Sequence, residues 1–121
     1  MPPTFANGKI CYLQIPATDI AVSSAFYAAV FGWKLRKRGN GEVTFDDGVG
    51  EVSGMWVLDR RPSPEPGILI YIMVDSATAT VTLVTAHGGQ IVKPIDPKAP
   101  EITAQFRDPG GNILGIFQQR G

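Results

Sequence analysis

Residues 15–35 read IPATDIAVSSAFYAAVFGWKL, and this stretch decides the fold of the first half of the chain. Asp19 is a favourable helix N-cap, and Gly32 is the residue type that most often follows a helix C-terminus. Between them, apolar side chains recur at helical spacing: Val22, Phe26 and Val30. The stretch therefore predicts a helix over residues 20–31, with a strand on either side of it.

The rest of the chain predicts two copies of a βαβββ unit. The strands of the first copy are predicted at residues 10–15, 33–38, 42–45 and 51–58. A proline-rich linker follows at residues 59–67. The strands of the second copy are predicted at residues 68–74, 90–95, 101–107 and 113–118. We therefore expect one domain over residues 1–121, with module one at about 8–58 and module two at about 68–119.

The second helix is the difficult element of this pattern. Residues 76–87, SATATVTLVTAH, alternate apolar and polar side chains and are rich in β-branched residues, which favours a strand. The interval from Asp19 to Gly32 is 13 residues, however, and the interval from Asp75 to Gly88 is also 13. Because the repeat requires a helix here, we predict one, with Asp75 as its N-cap.

Composition limits the classes of partner. The chain has 11 basic and 11 acidic residues and 44% hydrophobic residues, so we expect no nucleic-acid partner. A single cysteine, Cys11, gives no disulfide framework and fits a cytoplasmic protein. The longest apolar run, residues 68–74, is too short to cross a bilayer, and the N-terminal residues lack a signal-peptide pattern. No membrane partner is expected.

Three segments together resemble one protein family. They are residues 15–35, then AHGGQIVKP at residues 86–94, and DPGGNILGIF at residues 108–117. With these segments the whole chain resembles the vicinal oxygen chelate superfamily, which includes glyoxalase I, bleomycin-resistance proteins, fosfomycin-resistance transferases and extradiol dioxygenases. The resemblance implies an α+β fold of two βαβββ modules whose mixed sheet curls into a cup, with the helices outside.

In that fold, alternate residues of each strand face either the helices or the cup. The set predicted to face the helices is apolar: Cys11, Leu13, Ile15, Ile70, Ile72, Val74, Leu114 and Ile116. Cys11 would then be a buried small hydrophobe. The residues predicted to bind a ligand in the cup combine aromatic, apolar and amide side chains: Tyr12, Gln14, Trp56, Leu69, Tyr71, Met73, Gln105 and Phe117.

The metal-dependent members of the superfamily hold one divalent ion with His and Glu side chains. Carried over by position, the resemblance assigns these ligands to Ile10, Leu69, Gly115 and a residue near Ser53 or Gly54. Isoleucine, leucine and glycine have no side-chain donor atom for a metal. We therefore predict no metal, no other cofactor and no catalytic residue.

Three functions stay open at this point. The first is a binding protein that holds a small, partly aromatic molecule in the cup without a metal. The second is a lyase, isomerase or dioxygenase of the glyoxalase type that uses a divalent ion held by other ligands. In the third, the cup is filled by its own side chains and the protein acts by association, for which a homodimer is expected.

Overall fold

The computed structural model describes residues 2–120; Met1 and Gly121, the two ends of the predicted domain, lie outside them. The first half contains β1 (Tyr12–Pro16), α1 (Ile20–Phe31), β2 (Lys34–Lys37), β3 (Val43–Asp46) and β4 (Ser53–Val57). The second half contains β5 (Tyr71–Val74), α2 (Ala77–Ala86), β6 (Gln90–Lys93), β7 (Ile102–Arg107) and β8 (Ile113–Gln118). The prediction of two βαβββ units in an α+β fold is confirmed.

Each unit forms its own four-stranded mixed sheet. The strand orders are β1-β4-β3-β2 and β5-β8-β7-β6, so β1 and β5 are edge strands. In both sheets the edge strand runs parallel to its neighbour, and the other pairs are antiparallel. Tyr12 lies opposite Ser53 in the first sheet, and Tyr71 lies opposite Gly115 in the second. Tyr12 and Tyr71 are each the first residue of the edge strand of their sheet.

The first helix has the predicted caps. The Asp19 carboxylate accepts a 3.1 Å hydrogen bond from the Val22 amide, and this satisfies one of the free N–H groups of the first turn. At the other end, Gly32 adopts φ +71°, a left-handed conformation that glycine tolerates best. Its N–H donates to the Ala28 carbonyl oxygen at 3.0 Å, which closes the helix.

The second helix is present, but its N-cap is not the predicted residue. The Ser76 hydroxyl, one position after Asp75, accepts the hydrogen bond from the Ala79 amide at 3.1 Å. The equal spacing in the two halves therefore misaligned the caps by one residue. The helix buries one narrow stripe at helical spacing: Ala77, Thr80 and Val84. Burial follows this helical stripe and not the alternation of the sequence. The exposed Thr82 and Thr85 direct their hydroxyls to carbonyl oxygens of the preceding turn.

A single apolar core joins both sheets and both helices, and α1 packs against α2. Its centre is an aromatic stack. The Tyr27 ring lies 4.7 Å from Trp33, Trp33 lies 4.4 Å from Phe45, and Phe45 lies 4.9 Å from Trp56, measured between ring centroids. Such pairs contribute about 0.5–1.5 kcal/mol each beyond the area they bury. The aromatic residues of the opening stretch are therefore core residues of the first module.

The DPGGN turn between β7 and β8 fastens the second module to the first. Asp108 is buried, and its carboxylate accepts bonds from the Gly110 and Asn112 amides at 3.0 and 2.9 Å. The Asn112 side-chain amide donates both to Asp108 and, at 2.7 Å, to the carbonyl oxygen of Pro16 at the end of β1. These bonds satisfy a buried charge and connect the two modules.

The segment before β1 lies against the start of β4. Lys9 forms a 3.0 Å ion pair with Glu51, and the backbone and hydroxyl of Thr4 donate to the same carboxylate. The hydrogen bond from Lys9, followed by those from Thr4, lowers the pKa of Glu51.

Neither helix of the described chain is long and apolar enough to cross a membrane.

Candidate ligand-binding cavity

The candidate site is an apolar cavity of about 390 Å³ between β5, the C-terminal end of α1 and the loop from β3 to β4. This volume lies in the range typical of small-molecule sites. Aromatic and aliphatic side chains form most of its lining, with two carboxylates: Leu13, Phe31, Trp33, Phe45, Asp47, Gly48, Val49, Val52, Ile70, Tyr71, Ile72, Met73, Val74 and Asp75.

The first module supplies an aromatic wall to the cavity. Trp33 and Phe45 are the middle of the core stack, and Phe31 packs beside Trp33 with 6.1 Å between ring centroids. Trp33 and Phe45 are buried, while Phe31 is half-buried. Because these rings are held by the core, this wall is rigid before any ligand arrives, which lowers the entropy cost of binding.

The second module supplies the opposite wall from one strand. β5 is an edge strand, so residues 70–75 all border the cavity, including side chains from both faces of the strand. Tyr71 and Met73 are exposed, at 46% and 69%. The Tyr71 ring lies over Gly115, where a Cβ atom would come within 2.5 Å of it. Because residue 115 has no side chain, the Tyr71 ring can lie directly against the sheet at this position.

The two carboxylates of the cavity differ in their surroundings. Asp47 is half-buried, and its Oδ1 accepts hydrogen bonds from the Glu51 and Val52 amides at 2.8 and 3.2 Å. Those bonds hold Asp47 in the β3–β4 turn. Asp75 is exposed at the end of β5, directly before the Ser76 cap. Among residues 2–120, no lysine, arginine or histidine lines this cavity.

The residues predicted to bind a ligand are distributed over the cavity, the two sheet faces that point away from the core and, for Trp56, the core itself. Tyr71 and Met73 line the cavity. Tyr12 and Gln14 are exposed on the face of the first sheet that points away from the core. Gln105 and Phe117 lie on the corresponding face of the second sheet, where Gln105 pairs with Gly115 and Phe117 with Met73. Leu69 is half-buried and precedes β5.

The predicted position of Trp56 was wrong. Trp56 is 1% exposed and pairs in register with Ile15, so it lies on the helix-packed face of β4. The reason is the register: Gly54 and Trp56 share the core face, and Met55 takes the opposite face beside Gln14. A shift of one residue in a strand exchanges its two faces, and the sequence did not specify which residue began β4.

Cys11 also differs from its prediction. The strand begins at Tyr12 rather than residue 10, and Cys11 is exposed instead of buried against the helix. Alternation beyond the end of a strand does not predict burial, because the chain no longer follows the pleat. Leu13, Ile15, Ile72, Val74, Leu114 and Ile116 do pack in or against the core, as predicted. Ile70 is 38% exposed at the cavity.

Several cavity residues were not predicted from the sequence: Phe31, Trp33, Phe45, Asp47 and Asp75. They lie on the end of a helix, on one strand and in three loops. The aromatic residues had the pattern of a core, and they do belong to it. No sequence spacing indicates that the last turn of α1 and the edge of β5 face the same space.

The positions assigned to metal ligands by resemblance do not fit a divalent cation. Gly115 is covered by the Tyr71 ring, Gly54 packs under Phe45, and the Ser53 hydroxyl donates to Asp46 at 2.7 Å. Ile10 and Leu69 have no donor atom. Within residues 2–120, no three His, Cys, Asp or Glu side chains come together as a metal-binding group.

A comparison with known families is decisive for this fold. The profile of the Glyoxalase/Bleomycin resistance protein/Dioxygenase superfamily matches residues 9–116. The chain belongs to this superfamily. A superfamily relative from Didymella fabae, described as a glyoxylase-like domain-containing protein, is 30% identical and covers 95% of this chain and 97% of its own.

Solved structures of the superfamily fold superpose over nearly the whole chain. TnmS3, an antibiotic-binding protein from Streptomyces sp. CB03234, has a TM-score of 0.70 at 20% identity and covers 97% of this chain and 100% of its own. The fosfomycin resistance protein FosX from Mesorhizobium loti has a TM-score of 0.74 at 14% identity, covering 96% and 95%. At these identities the likeness establishes the fold alone.

Proposed function

We propose that this superfamily member is a small-molecule-binding protein that holds a partly aromatic ligand in the cavity beside β5. The observation that carries the proposal is an apolar cavity of about 390 Å³ in which the half-buried Phe31 and the exposed Tyr71 offer aromatic rings to a ligand. Stacking of about 0.5–1.5 kcal/mol per aromatic pair, added to apolar burial, is sufficient for micromolar binding without a metal. The fold of the antibiotic-binding TnmS3 supports the proposal by analogy.

Calorimetric titration with small aromatic compounds tests this function. Tyr71→Ala removes an exposed wall of the cavity and should weaken binding about tenfold, the effect of a well-packed aromatic contact. Tyr12→Ala is the matched control, because Tyr12 also begins an edge strand and is similarly exposed but does not line the cavity. Equal weakening by both variants would instead place the ligand across the open sheet faces, the faces of the two sheets that point away from the core and carry Tyr12 and Tyr71. If none of the compounds binds, the proposal is refuted.

The proposed binding site uses no divalent metal. Its support is chemical: the positions assigned to metal ligands carry Ile10, Leu69 and Gly115, and Glu51 is already engaged by Lys9 and Thr4. Elemental analysis after incubation with zinc, nickel, manganese and iron provides the test. Stoichiometric metal that survives dialysis would favour the alternative, a metal-dependent lyase, isomerase or dioxygenase.

The same chain is proposed to form a homodimer through its open sheet faces. Large apolar side chains are exposed there and in the segments just before β1 and β5, with exposures of 74% for Ile10, 84% for Ile68 and 69% for Met73. An apolar surface of this kind favours a self-complementary interface. Sedimentation of Ile10→Glu and Ile68→Glu should show a shift toward monomer. Val22→Glu, on the exposed face of α1, is the control.

A further inference from the structure

We infer that the ligand of the cavity is an organic cation, with an ammonium group attached to an aromatic or aliphatic body. The inference rests on the proposed function, since it names the class of molecule that the same cavity selects. It follows from the charges at the cavity rim and from the aromatic rings in its wall.

The charged side chains that line the cavity all have one sign. Asp47 and Asp75 contribute two negative charges, and the described lining includes no basic residue. The two ion pairs of the described chain, Lys9–Glu51 and Arg36–Asp46, use other carboxylates. A cleft with apolar walls and charges of one sign focuses its field on the ligand, so an ammonium group is attracted and a carboxylate is repelled.

The aromatic wall favours the same class of ligand. Four aromatic side chains line the cavity: Phe31, Trp33, Phe45 and Tyr71. Trp33 is stacked between Tyr27 and Phe45, and Phe45 is fully buried, so Phe31 and Tyr71 are the rings whose faces a ligand can reach. The face of an aromatic ring carries negative electrostatic potential, which attracts organic ammonium groups. A neutral aromatic molecule gains only apolar burial and stacking here, whereas an aromatic amine adds attraction to the rings and to both carboxylates.

The two carboxylates have different roles in this arrangement. Asp47 is held by the Glu51 and Val52 amides, so it contributes a fixed negative potential. Asp75 is exposed and lies outside both ion pairs, so its carboxylate is available to contact an ammonium group directly. Asp75 is therefore the residue to substitute when testing the attraction of a cation. Its substitution leaves the N-cap of α2 intact, because the cap is the neighbouring Ser76.

Three probes of similar size and different charge test the inference: 2-naphthylmethylamine, 2-naphthalenemethanol and 2-naphthoic acid. By calorimetry at neutral pH and low salt, the amine should bind about threefold to tenfold more tightly than the alcohol, and the acid more weakly than both. Asp75→Asn should reduce the preference for the amine over the alcohol. The control, Asp96→Asn, removes an exposed carboxylate outside the cavity and should keep the full preference.

The possible failures are distinguishable. If the alcohol binds as tightly as the amine and Asp75→Asn changes neither, the inference of a cation is wrong and the proposed binding function stands. If none of the three probes binds, both are wrong.

Discussion

The Tyr27 hydroxyl donates a 2.7 Å hydrogen bond to the carboxylate of Asp108, and this bond joins α1 of the first module to the β7–β8 turn of the second. Both residues are buried, at 0% and 3% exposure. The bond therefore combines a charge-assisted contact with the packing of the aromatic stack. It also explains why a phenol occupies this core position, since phenylalanine in its place would leave Asp108 without one of its donors.

Replacement of Tyr27 by phenylalanine should lower the free energy of unfolding by about 1.5–3 kcal/mol, the usual cost of a lost bond to a buried charge. Urea denaturation measures this change. Tyr12→Phe, at a half-exposed tyrosine, should change stability by less than about 0.5 kcal/mol. Equal effects of the two substitutions would show that the bond to Asp108 contributes nothing specific.

Stability should also fall at alkaline pH because of Tyr27. Burial, reinforced by the charge of Asp108 and the hydrogen bond to it, raises the pKa of Tyr27 well above its ordinary value. Below about pH 10 the phenol is protonated in both folded and unfolded chains, so its contribution is complete there. Above that pH the unfolded chain releases the proton first, and the free energy of unfolding should fall by up to about 1.4 kcal/mol per pH unit.

Urea denaturation between about pH 8 and 11 measures this slope in the native sequence and in Tyr27→Phe. The variant should show a shallower alkaline slope, because it has no phenol to ionise at that position. Identical slopes would contradict the raised pKa.

Two strand glycines should differ sharply in their tolerance of alanine. A Cβ atom at Gly54 would collide with the backbone oxygen of Leu13 and with the Phe45 ring, and neither can move without disturbing the core. We expect Gly54→Ala to cost about 3 kcal/mol or more. At Gly115 the obstacle is the half-exposed Tyr71 ring, which can rotate outward, so Gly115→Ala should cost about 1 kcal/mol.

Thermal denaturation of both glycine variants measures the difference. Since the displaced Tyr71 ring borders the cavity, Gly115→Ala should also weaken binding of an aromatic probe. A Gly115 variant less stable than the Gly54 variant would mean that Tyr71 is fixed and not adjustable.

The N-cap of α2 gives a further prediction. Ser76→Ala removes the acceptor of the Ala79 amide and should destabilise the protein by about 1 kcal/mol. Asp75→Ala should change stability by less than about 0.5 kcal/mol, because Asp75 is exposed and does not cap the helix. Chemical denaturation of both variants tests the assignment. A larger loss of stability in Asp75→Ala than in Ser76→Ala would show that Asp75 is the N-cap.

A buried hydroxyl on α1 should be dispensable. Ser23 is 1% exposed, and its Oγ finds no hydrogen-bond partner among the described residues. Ser23→Ala removes this unpaired group and improves helix propensity, so it should stabilise the protein by about 1 kcal/mol. The neighbouring Ser24 hydroxyl donates to the Ala21 carbonyl oxygen, so Ser24→Ala should be near neutral. Loss of stability in Ser23→Ala would reveal a partner for its hydroxyl.

Local signals in the sequence were sufficient for most of the fold. The structure confirms the cap at Asp19, the glycine at position 32 and the repeated order of elements. The cap and the glycine depend on contacts within a few residues. The helix over Ala77–Ala86 was recovered from the repeat against its local alternation. A cytoplasmic location, inferred from the single cysteine, stays a prediction.

The register of β4 and the cavity required the tertiary structure. Trp56 was assigned to the wrong face because alternation reveals a period but not which phase meets the core. The cavity brings the last turn of α1 and the edge strand β5 together, although about 40 residues of chain and a linker separate them. Sequence alone determined the elements and their order, because short-range backbone preferences specify most of them and the repeat specifies α2. Only the packing of one module against the other decided which aromatic rings and which two carboxylates share a space.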